Sequence, residues 1–392
     1  KGCWGESYLF GNERLYTKWV RDICEAQRED GCIPDVAPAF WNYYSDNVTW
    51  PSALIFACEM IYTQYGNMEP IRKHYSSMQR WIEHMAKEYT NRAGLIVKDK
   101  YGDWCVPPES PEMIHSQDPA RKTDGRLIAS AYFYKDLKIM AGFARLLGMS
   151  ADAERYDADA EKLKAAFNRI FLTVQPATGK GDSVANNTVT ANLLPLAFDM
   201  IPAPYAEAVA KNLSTTIIET HNAHISCGVI GMQWLFGQLC RIGQSNLAYQ
   251  MASHTSYPSF GYMIENGATT IWELWNGDTA NPWMNSGNHV MLLGDFLPFC
   301  FEELGGIRPS TDKVGFKHII FKPCFDIKQL DHVDVTYQTP YGQVESRWKK
   351  SRAHIVWDIM LPPNTTAEVH LPNGEIRQIG SGAYHYRTSI SK

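Results

Sequence analysis

The sequence lacks several features that mark specialised classes of protein. It has no apolar run near the ~18 residues that a membrane-spanning helix needs, so we expect no membrane span. It has no Lys/Arg run or basic arm, and its formal net charge is −5, so nucleic-acid binding has little support. No glycine-rich phosphate loop follows a predicted strand.

Metal-binding motifs are also missing. The twelve histidines include no H-E-x-x-H pattern, and the nine cysteines include no C-x-x-C pair. An odd number of scattered cysteines in a chain of 392 residues is typical of buried free thiols rather than of a disulfide framework or a zinc site. We therefore predict no metal site, and the cysteines do not decide the cellular compartment.

Two kinds of predicted helix alternate over the first three quarters of the chain. Segments such as "PIRKHYSSMQRWIEHMAKEY" place apolar residues at three- and four-residue steps, which is typical of a helix with one wet face. Segments such as "WPSALIFACEMIYTQY" and "GVIGMQWLFGQLCRI" are apolar nearly all round and are expected to be buried. The alternation predicts an α/α toroid, with an inner ring of helices inside an outer ring. A solenoid is the alternative, but the sequence has no repeat of fixed period.

The connections between these helices differ in length. Those from inner to outer helix are short, whereas most of those that return are long, and long ordered loops are usually functional. The long loops all lead to the N-terminal ends of inner helices, so we expect them to share one rim. The tryptophans and acids on these loops are Trp41, Trp50, Trp104, Trp272, Trp275, Trp283, Asp35, Asp46, Asp103, Glu109 and Glu273. Three tryptophans within helices are predicted to pack in the core: Trp19, Trp81 and Trp234.

The composition changes after "GGIRPS". Segments such as "HVDVTYQT" and "AHIVWDIMLP" alternate apolar and polar residues between turn residues, which predicts strands. We therefore expect a mainly α protein with a toroid domain over residues 1–306. A small antiparallel β-sandwich is expected over residues 307–392, with Trp348 and Trp357 packed between its sheets.

The stretch "GATTIWELWNGDTANPW" places Glu273 between Trp272 and Trp275. Indoles pack against the apolar faces of a pyranose, and a few polar groups orient its hydroxyls, so the rim suits a sugar. Hydrolysis of a glycosidic bond needs a carboxylic acid and a second carboxylate, roughly 6.5–9.5 Å apart in an inverting enzyme. Glu273 is the first candidate because the neighbouring indoles would limit the solvation of its carboxylate.

Each rim candidate also has a purely structural interpretation. Thr270 and Glu273 fit a capping box, in which Glu only satisfies a backbone N–H, although the Asn-Gly and Pro that follow do not continue a helix. Asp103 in "YGDW" and Asp35 in "IPDVAP" are either turn residues or sugar ligands. His289 is either a first-turn residue of the last helix or a ligand of sugar hydroxyls.

The chain resembles the α-L-rhamnosidases of glycoside hydrolase family 78. The similar segments, in order, are "DGCIPDVAP", "DNVTWPSA", "YGDW", "ASAYFY", "SYPSFGYMIENGATTIWELW", "SGNHVMLLGDF" and "GIRPSTDKVGFKHIIFKP". The resemblance covers nearly the whole chain and implies an (α/α)6 toroid of the six-hairpin type. It implies removal of terminal α-L-rhamnose with inversion, without metal or cofactor. The expected partner is a rhamnose-containing oligosaccharide or glycoside, and the oligomeric state stays open.

The resemblance also assigns roles by position. Glu273 matches the general base that activates water. Three tryptophans match walls of the rhamnose pocket, and the histidine matches a ligand of sugar hydroxyls. The expected substrate-binding residues are Trp4, Asp35, Trp50, Asp103, Trp104, Trp272 and His289.

The sequence departs from the family pattern at the start of the chain. The family carries its general acid here, and "KGCWGES" matches the residues that directly follow that acid. Glu6 matches a further acid of the segment only if one residue is deleted after Trp4, and it is the candidate substitute acid. The alternative is an ordinary acid near a helix start. We expect the chain to be a fragment of a larger enzyme, with a toroid that is incomplete at its N-terminus.

Two other functions fit parts of the sequence. A toroid without its general acid is consistent with a non-catalytic sugar-binding protein, although the intact "GATTIWE" stretch favours catalysis. Polysaccharide lyases also use α/α toroids, but they need cationic residues to neutralise a uronate. The rim here is acidic, which disfavours the lyase.

Overall fold

The structure is a computed structural model that describes residues 2–174, 181–280 and 286–389. Within these ranges the helical segments end at Leu304, and the strands of a β-rich part begin at Ile307. Trp283, which the sequence places on the rim, lies outside the described residues. None of the described helices combines the length and the apolar character needed to cross a membrane.

The helical part consists of α-helices joined by loops and single turns of other helix types. The α-helices in the described residues are α1 (Cys3–Leu9), α2 (Glu13–Glu25), α3 (Ala53–Tyr65), α4 (Glu69–Tyr89), α5 (Gly125–Leu146), α6 (Ser150–Phe171), α7 (Val189–Ala197), α8 (Ala203–Thr215), α9 (Val229–Met232), α10 (Leu235–Arg241), α11 (Ser245–Ser253), α12 (Phe260–Glu265) and α13 (Phe296–Pro298). Two 3₁₀ turns cover Pro119–Arg121 and Val290–Leu293, and two π turns cover Thr216–Thr220 and Phe299–Leu304.

The buried helices form a closed inner ring. Contacts run from α1 to α3, α5 and α7, then to α9 and α10, and from there through the Val290–Leu293 and Phe299–Leu304 turns. The ring closes because α13 packs against α1. Helices α3, α5 and α7 are buried on nearly every side, whereas α4 and α6 keep charged faces in solvent. This alternation, which is the one the sequence predicts, confirms the toroid.

One inner helix differs from its prediction. The segment "GVIGMQWLFGQLCRI" is apolar enough for a single helix, yet it divides into α9 and α10 at Gln233 and Trp234. At the break the Gln233 side chain accepts a hydrogen bond from the Tyr132 hydroxyl at 2.8 Å, and Trp234 Nε1 donates to the same hydroxyl at 3.2 Å. The irregular backbone turns these two polar groups toward a buried tyrosine on α5.

The β-rich part contains two four-stranded sheets, and a two-stranded pair lies earlier in the chain. The described strands are β1 (Leu172–Val174), β2 (Gly181–Val184), β3 (Ile307–Pro309), β4 (His318–Phe321), β5 (His332–Thr339), β6 (Gly342–Lys350), β7 (His354–Leu361), β8 (Thr366–His370), β9 (Ile376–Ile379) and β10 (Gly382–Ser389). The sheet orders are β10-β7-β6-β5 and β3-β4-β8-β9. All pairs are antiparallel except β4 with β8, which is parallel and departs from the antiparallel sandwich that the sequence predicts. The sheets enclose Trp348 and Trp357 as predicted.

The two parts share a packed junction. Tyr8 of α1 lies in the core of the β-rich part, where its ring stacks on Phe301 at 4.8 Å and tilts against Tyr337 at 5.0 Å. Its hydroxyl donates to Glu302 Oε1 at 2.7 Å. Trp348 Nε1 donates to the Leu304 carbonyl at 2.9 Å. Aromatic burial therefore fixes the sheets against one end of the inner ring.

A buried carboxylate joins α10 to the last inner segment. Asp295 accepts hydrogen bonds from the backbone N–H groups of Phe236 at 3.1 Å and Gly237 at 2.8 Å. Its own N–H donates to the Met232 carbonyl at 2.9 Å. Burial raises the pKa of Asp295 to about 7, although both hydrogen bonds oppose the rise.

We expect Asp295 to make the free energy of unfolding fall as the pH rises from about 4 to 7. In this window the folded state keeps a proton that the unfolded state, with an aspartate pKa of 3.8, has released. The effect is about 1.4 kcal/mol per unit of pKa difference. Urea unfolding at several pH values measures it, and Asp295→Asn removes the slope. Equal slopes in the two proteins would contradict this assignment.

Candidate active site

Glu273 lies in an irregular segment between α12 and the Val290–Leu293 turn. Its Oε2 accepts a hydrogen bond from the Ser286 backbone N–H at 3.0 Å, and its own N–H donates to the Ser286 carbonyl at 2.9 Å. Its side chain is 19% exposed. The carboxylate is therefore fixed by the backbone of a neighbouring segment while it keeps access to solvent.

The capping-box interpretation of Glu273 is wrong. No helix begins at Thr270, and the Thr270 hydroxyl donates to the Gly287 carbonyl at 2.6 Å rather than capping Glu273. The Thr270 and Glu273 contacts both run to residues 286–287. They form part of a loop-to-loop junction instead of a local cap.

His289 lies beside Glu273, so the two residues that the sequence analysis proposed for one site are close together. Its Nδ1 is 3.5 Å from Glu273 Oε2, and its side chain is 25% exposed. Its backbone N–H donates to the Ile271 carbonyl at 2.7 Å, which aligns the two segments side by side. His289 directly precedes the Val290–Leu293 turn, which belongs to the inner ring of helices. The Glu273 carboxylate is therefore held close to the start of that turn.

Asp103 caps the start of an inner helix. Its carboxylate accepts from the Thr190 hydroxyl at 2.5 Å and from the backbone N–H groups of Gly228, Ile230 and Gly231 at 2.9, 2.8 and 3.2 Å. Burial raises the pKa of Asp103, and these four hydrogen bonds oppose the rise. This geometry favours a positioning role over the sugar contact that the sequence predicts.

The cap on α9 places Trp104 and Cys105. The Trp104 carbonyl accepts the Val229 N–H at 2.8 Å and approaches Gly228 so closely that an added Cβ would lie 2.1 Å from it. Only glycine fits at that position. Burial raises the pKa of the Cys105 thiol, and the negative charge of Glu273 adds to the rise.

Asn276 ties the Glu273 segment to the same long loop. Its buried amide nitrogen donates to the carbonyls of Pro111 at 2.7 Å and Met113 at 2.5 Å. The Thr279 hydroxyl also donates to Pro111. Two loops that are far apart in sequence are therefore linked, one shortly after Trp104 and the other shortly after Glu273.

Asp35 and Trp50 lie together at a small cavity of about 200 Å³. Asp35 accepts from the Ser45 hydroxyl at 2.7 and 2.9 Å and from the Tyr101 hydroxyl. Tyr101 packs against Trp50 at 4.7 Å and against Trp104 at 6.2 Å. One hydrogen-bonded and aromatic chain thus connects the cavity to the Trp104 loop.

Trp4 and Glu6 occupy the first turn of α1. Glu6 Oε2 accepts the Tyr16 hydroxyl at 2.9 Å. Gly2 lies between Glu6 Oε1 and the Val290 side chain, with an added Cβ 3.0 and 2.8 Å from them. Since Val290 follows His289, the start of α1 is adjacent to the segment that holds Glu273. Trp4 lines a second cavity of about 810 Å³, which shares Gln233 with the smaller one.

Several predicted rim residues lie elsewhere. Trp272 is 8% exposed and Trp275 is 1% exposed, so both indoles pack in the helical core rather than facing a bound sugar. Asp46 is buried among Cys32, His84 and Tyr89, which all hydrogen bond to it. Trp272, Trp275 and Asp46 are buried and stabilise the loops that contain them. Two further rim residues, Trp41 and Glu109, are exposed or bonded within their own loop.

Sequence reasoning missed other residues of the site. Tyr16 and Trp19 lie within α2 and line the small cavity, whereas the sequence predicted core packing for Trp19 and gave Tyr16 no role. Tyr101 and Asn276 lie in loops, and the sequence analysis did not single them out. No local signal distinguishes these residues, because their partners come from distant loops. Among the described residues, neither cluster of metal-ligand type contains Glu273, His289 or Asp103.

A closed ring of paired helices whose rim gathers a held carboxylate, a histidine and indoles is the architecture of the six-hairpin glycosidases. The chain belongs to the bacterial α-L-rhamnosidase family. The family's 6 hairpin glycosidase domain matches residues 2–304, and its C-terminal domain matches residues 306–385. This confirms the family resemblance and the fold class.

Curated relatives agree with this family. An alpha-L-rhamnosidase of Streptomyces avermitilis is 29% identical over 373 residues, which is 93% of this chain. One of Formosa agariphila is 31% identical over 340 residues, which is 85% of this chain. The chain spans 33% and 34% of the length of these two relatives.

Solved structures share the whole architecture. The alpha-L-rhamnosidase from Dictyoglumus thermophilum superposes with a TM-score of 0.86 at 30% identity, covering 97% of this chain and 44% of that chain. The Streptomyces avermitilis alpha-L-rhamnosidase complexed with L-rhamnose superposes with a TM-score of 0.87 at 27% identity, covering 99% and 37%.

We expect Asp103→Asn to destabilise the chain by about 1–3 kcal/mol, because the amide turns an N–H₂ group toward donors that need an acceptor. Urea unfolding measures the change. Asp312→Asn, at an exposed position of a loop, is the control and should stay within about 0.5 kcal/mol of wild type. Equal stability of the Asp103 variant and wild type would show that the cap is dispensable.

Proposed function

We propose that this chain acts in the hydrolysis of terminal α-L-rhamnosides with inversion, and that Glu273 is the general base. The observation that carries the proposal is the fixed position of the Glu273 carboxylate, held by Ser286 at 3.0 Å and flanked by His289 at 3.5 Å. The similarity to an alpha-L-rhamnosidase complexed with L-rhamnose supports rhamnose as the sugar.

The two oxygens of Glu273 take different roles in this proposal. Both contacts, to the Ser286 N–H and to His289, converge on Oε2, so Oε1 is the oxygen that we assign to the water. Oε1 takes a proton from that water as its oxygen attacks the anomeric carbon. The bond to the leaving oxygen breaks on the opposite face of the ring, which inverts the anomeric configuration.

The small cavity beside Trp50 is our candidate for the sugar site. Glu273 lies outside its lining, which includes Tyr16, the partner of Glu6, and Met291, two positions after His289. Its volume of about 200 Å³ is below the range of drug-sized pockets, which suits a single sugar unit. Trp50 offers an apolar face for the ring, and Asp35 offers carboxylate oxygens to hydroxyl groups. The partner of the site would then be a rhamnose-containing oligosaccharide or glycoside.

Asp103 and Asn276 are positioning residues in this proposal. The saturated Asp103 carboxylate holds Trp104 against the start of α9, and the Asn276 amide holds the Glu273 segment against residues 111–113. Both side chains are buried, so each acts through the loops that it fixes. They set the separation between the indole and the base.

We expect Glu273→Gln to lower turnover of an aryl α-L-rhamnoside by about 10²–10⁴-fold, since glutamine cannot accept the proton from water. An aryl leaving group departs readily without protonation, which makes the rate sensitive to the base. Proton NMR of the reaction measures the rate and identifies the anomer that is released first. Calorimetry with L-rhamnose should show that binding survives.

Glu265→Gln is the matched control for this experiment. Glu265 ends α12, eight positions before Glu273, and is exposed to solvent. Its amide should leave turnover unchanged. Equal rates for Glu273→Gln and wild type would exclude Glu273 as the base. Binding of L-rhamnose without any product from the wild-type chain would instead support the non-catalytic sugar-binding function.

Glu6 is our candidate for the second carboxylate. It lies one turn after Gly2, which faces Val290, so the start of α1 lies against the turn that follows His289. The Tyr16 hydroxyl donates to Glu6 Oε2 at 2.9 Å. We therefore assign the acid proton to Glu6 Oε1. In this role Glu6 protonates the leaving oxygen while Glu273 deprotonates water.

We expect Glu6→Gln to act selectively according to the leaving group. Loss of a general acid slows departure of an alkoxide by roughly 10²-fold or more, and it affects an activated aryl group far less. Comparing alkyl and aryl α-L-rhamnosides measures this selectivity, with Glu13→Gln of α2 as the control. An equal loss on both substrates would assign Glu6 to binding or folding rather than to proton transfer.

A further inference from the structure

Three side chains of metal-ligand type meet where the helical and β-rich parts join. Cys240 lies near the end of α10, Glu303 lies in the turn after α13, and Cys324 lies just beyond β4. One ligand atom from each lies within 4.8 Å of the others. The Cys324 thiol donates to Glu303 Oε2 at 3.5 Å.

We propose that Cys240, Glu303 and Cys324 bind a thiophilic divalent cation, Zn²⁺, that cross-links the toroid and the C-terminal β-rich part. A tetrahedral zinc ion with Zn–S near 2.3 Å and Zn–O near 2.1 Å holds its ligand atoms about 3.5–3.8 Å apart. The present separations, all within 4.8 Å, need to contract by at most about 1.3 Å to reach that geometry. Two thiolates and one carboxylate are ligands that zinc accepts.

The surrounding charge suits such an ion. Two thiolates, one carboxylate and Zn²⁺ sum to one negative charge. Arg308 lies 3.1 Å from Glu303 Oε2 and supplies one positive charge. Its guanidinium also donates to the Glu302 carbonyl at 2.8 Å, so it is held in place as an outer partner of the carboxylate. Partners of this kind orient a ligand and tune its basicity.

The cavity beside the cluster supplies access and a fourth ligand. Cys240, Glu303 and Cys324 all line the cavity of about 810 Å³, and none of the three is fully buried. A solvent molecule in this cavity would complete the tetrahedron. The backbone is already fixed at the site, because the Cys324 N–H donates to the Glu303 carbonyl at 2.7 Å.

A second cluster of similar composition lacks these properties. In the group of Cys32, Asp46 and His84, the thiol and the imidazole both bond to Asp46 Oδ1, at 2.7 and 3.0 Å. Tyr89 bonds to its other oxygen. The donors already satisfy the carboxylate, and this cluster has a single thiol. Its role is explained by anchoring the loop that contains Asp46.

Cobalt is the probe for the proposed site, used on the whole 392-residue chain with a phosphine reductant present. One equivalent of Co²⁺ should give the visible bands of tetrahedral coordination and a thiolate charge-transfer band, and Zn²⁺ should displace it. Cys240→Ser and Cys324→Ser, which each remove one of the two thiolates, should each reduce the intensity of the thiolate band. Glu303→Gln should keep the band but bind at least about tenfold more weakly.

Cys300→Ser is the matched control, since Cys300 is a half-buried thiol in the same turn as Glu303 but outside the cluster. It should bind Co²⁺ like wild type. Zn²⁺ should raise the Tm of wild type and of this control by roughly 2–4 °C or more, and it should not raise that of Cys324→Ser. Circular dichroism checks that each variant is folded.

Three results would overturn the proposal. The first is a wild-type chain that shows no thiolate band with Co²⁺. The second is an unchanged spectrum and affinity in both Cys240→Ser and Cys324→Ser. The third is a Zn²⁺-dependent rise in Tm that is the same in wild type and Cys324→Ser. Because these readouts do not involve turnover, they are independent of the role assigned to Glu273.

Discussion

The rim of this toroid depends on the buried carboxylate of Asp103. A charge that is removed from water is tolerated only when hydrogen bonds replace its hydration, and four donors converge on this one. Three of them are backbone N–H groups at the start of α9, which have no partners within the helix. The carboxylate and the helix end satisfy each other. In doing so they fix Trp104 at the inner ring, and Gly228 permits the close backbone approach that this requires.

The same principle organises the rest of the site. Its loops contain little regular structure, so their backbone groups must find partners in other loops. Asn276 gives both amide hydrogens to residues 111 and 113, Ser286 exchanges two hydrogen bonds with Glu273, and His289 pairs with Ile271. Asp295 satisfies the start of α10 in the same way. The Glu273 carboxylate is held by its contact with Ser286, and its position depends on the other contacts between loops as well.

The junction of the helical and β-rich parts depends on aromatic packing rather than on a buried carboxylate. Aromatic packing around Tyr8 joins α1 to the sheets, and Trp348 hydrogen bonds to the end of the helical part. A cation held by residues 240, 303 and 324 would add a second, removable link to the same junction. This link would join an inner helix to the segment after β4, and it would therefore couple the stability of the two parts to metal supply.

The sequence by itself determined the alternation of buried and one-sided helices, the division after "GGIRPS" and the irregular course of the Glu273 segment. These features follow from composition and periodicity, which act over one or two turns. It also contained the motifs that identify the family. It did not determine the break between α9 and α10 or the parallel pairing of β4 with β8, since their local patterns match those of an unbroken helix and an antiparallel strand. Only the tertiary structure decided that Asp103 is saturated, that Trp272 is buried and that Cys240 meets Cys324. Each of these depends on which distant loops meet, and a side chain's own neighbours in sequence carry no record of that.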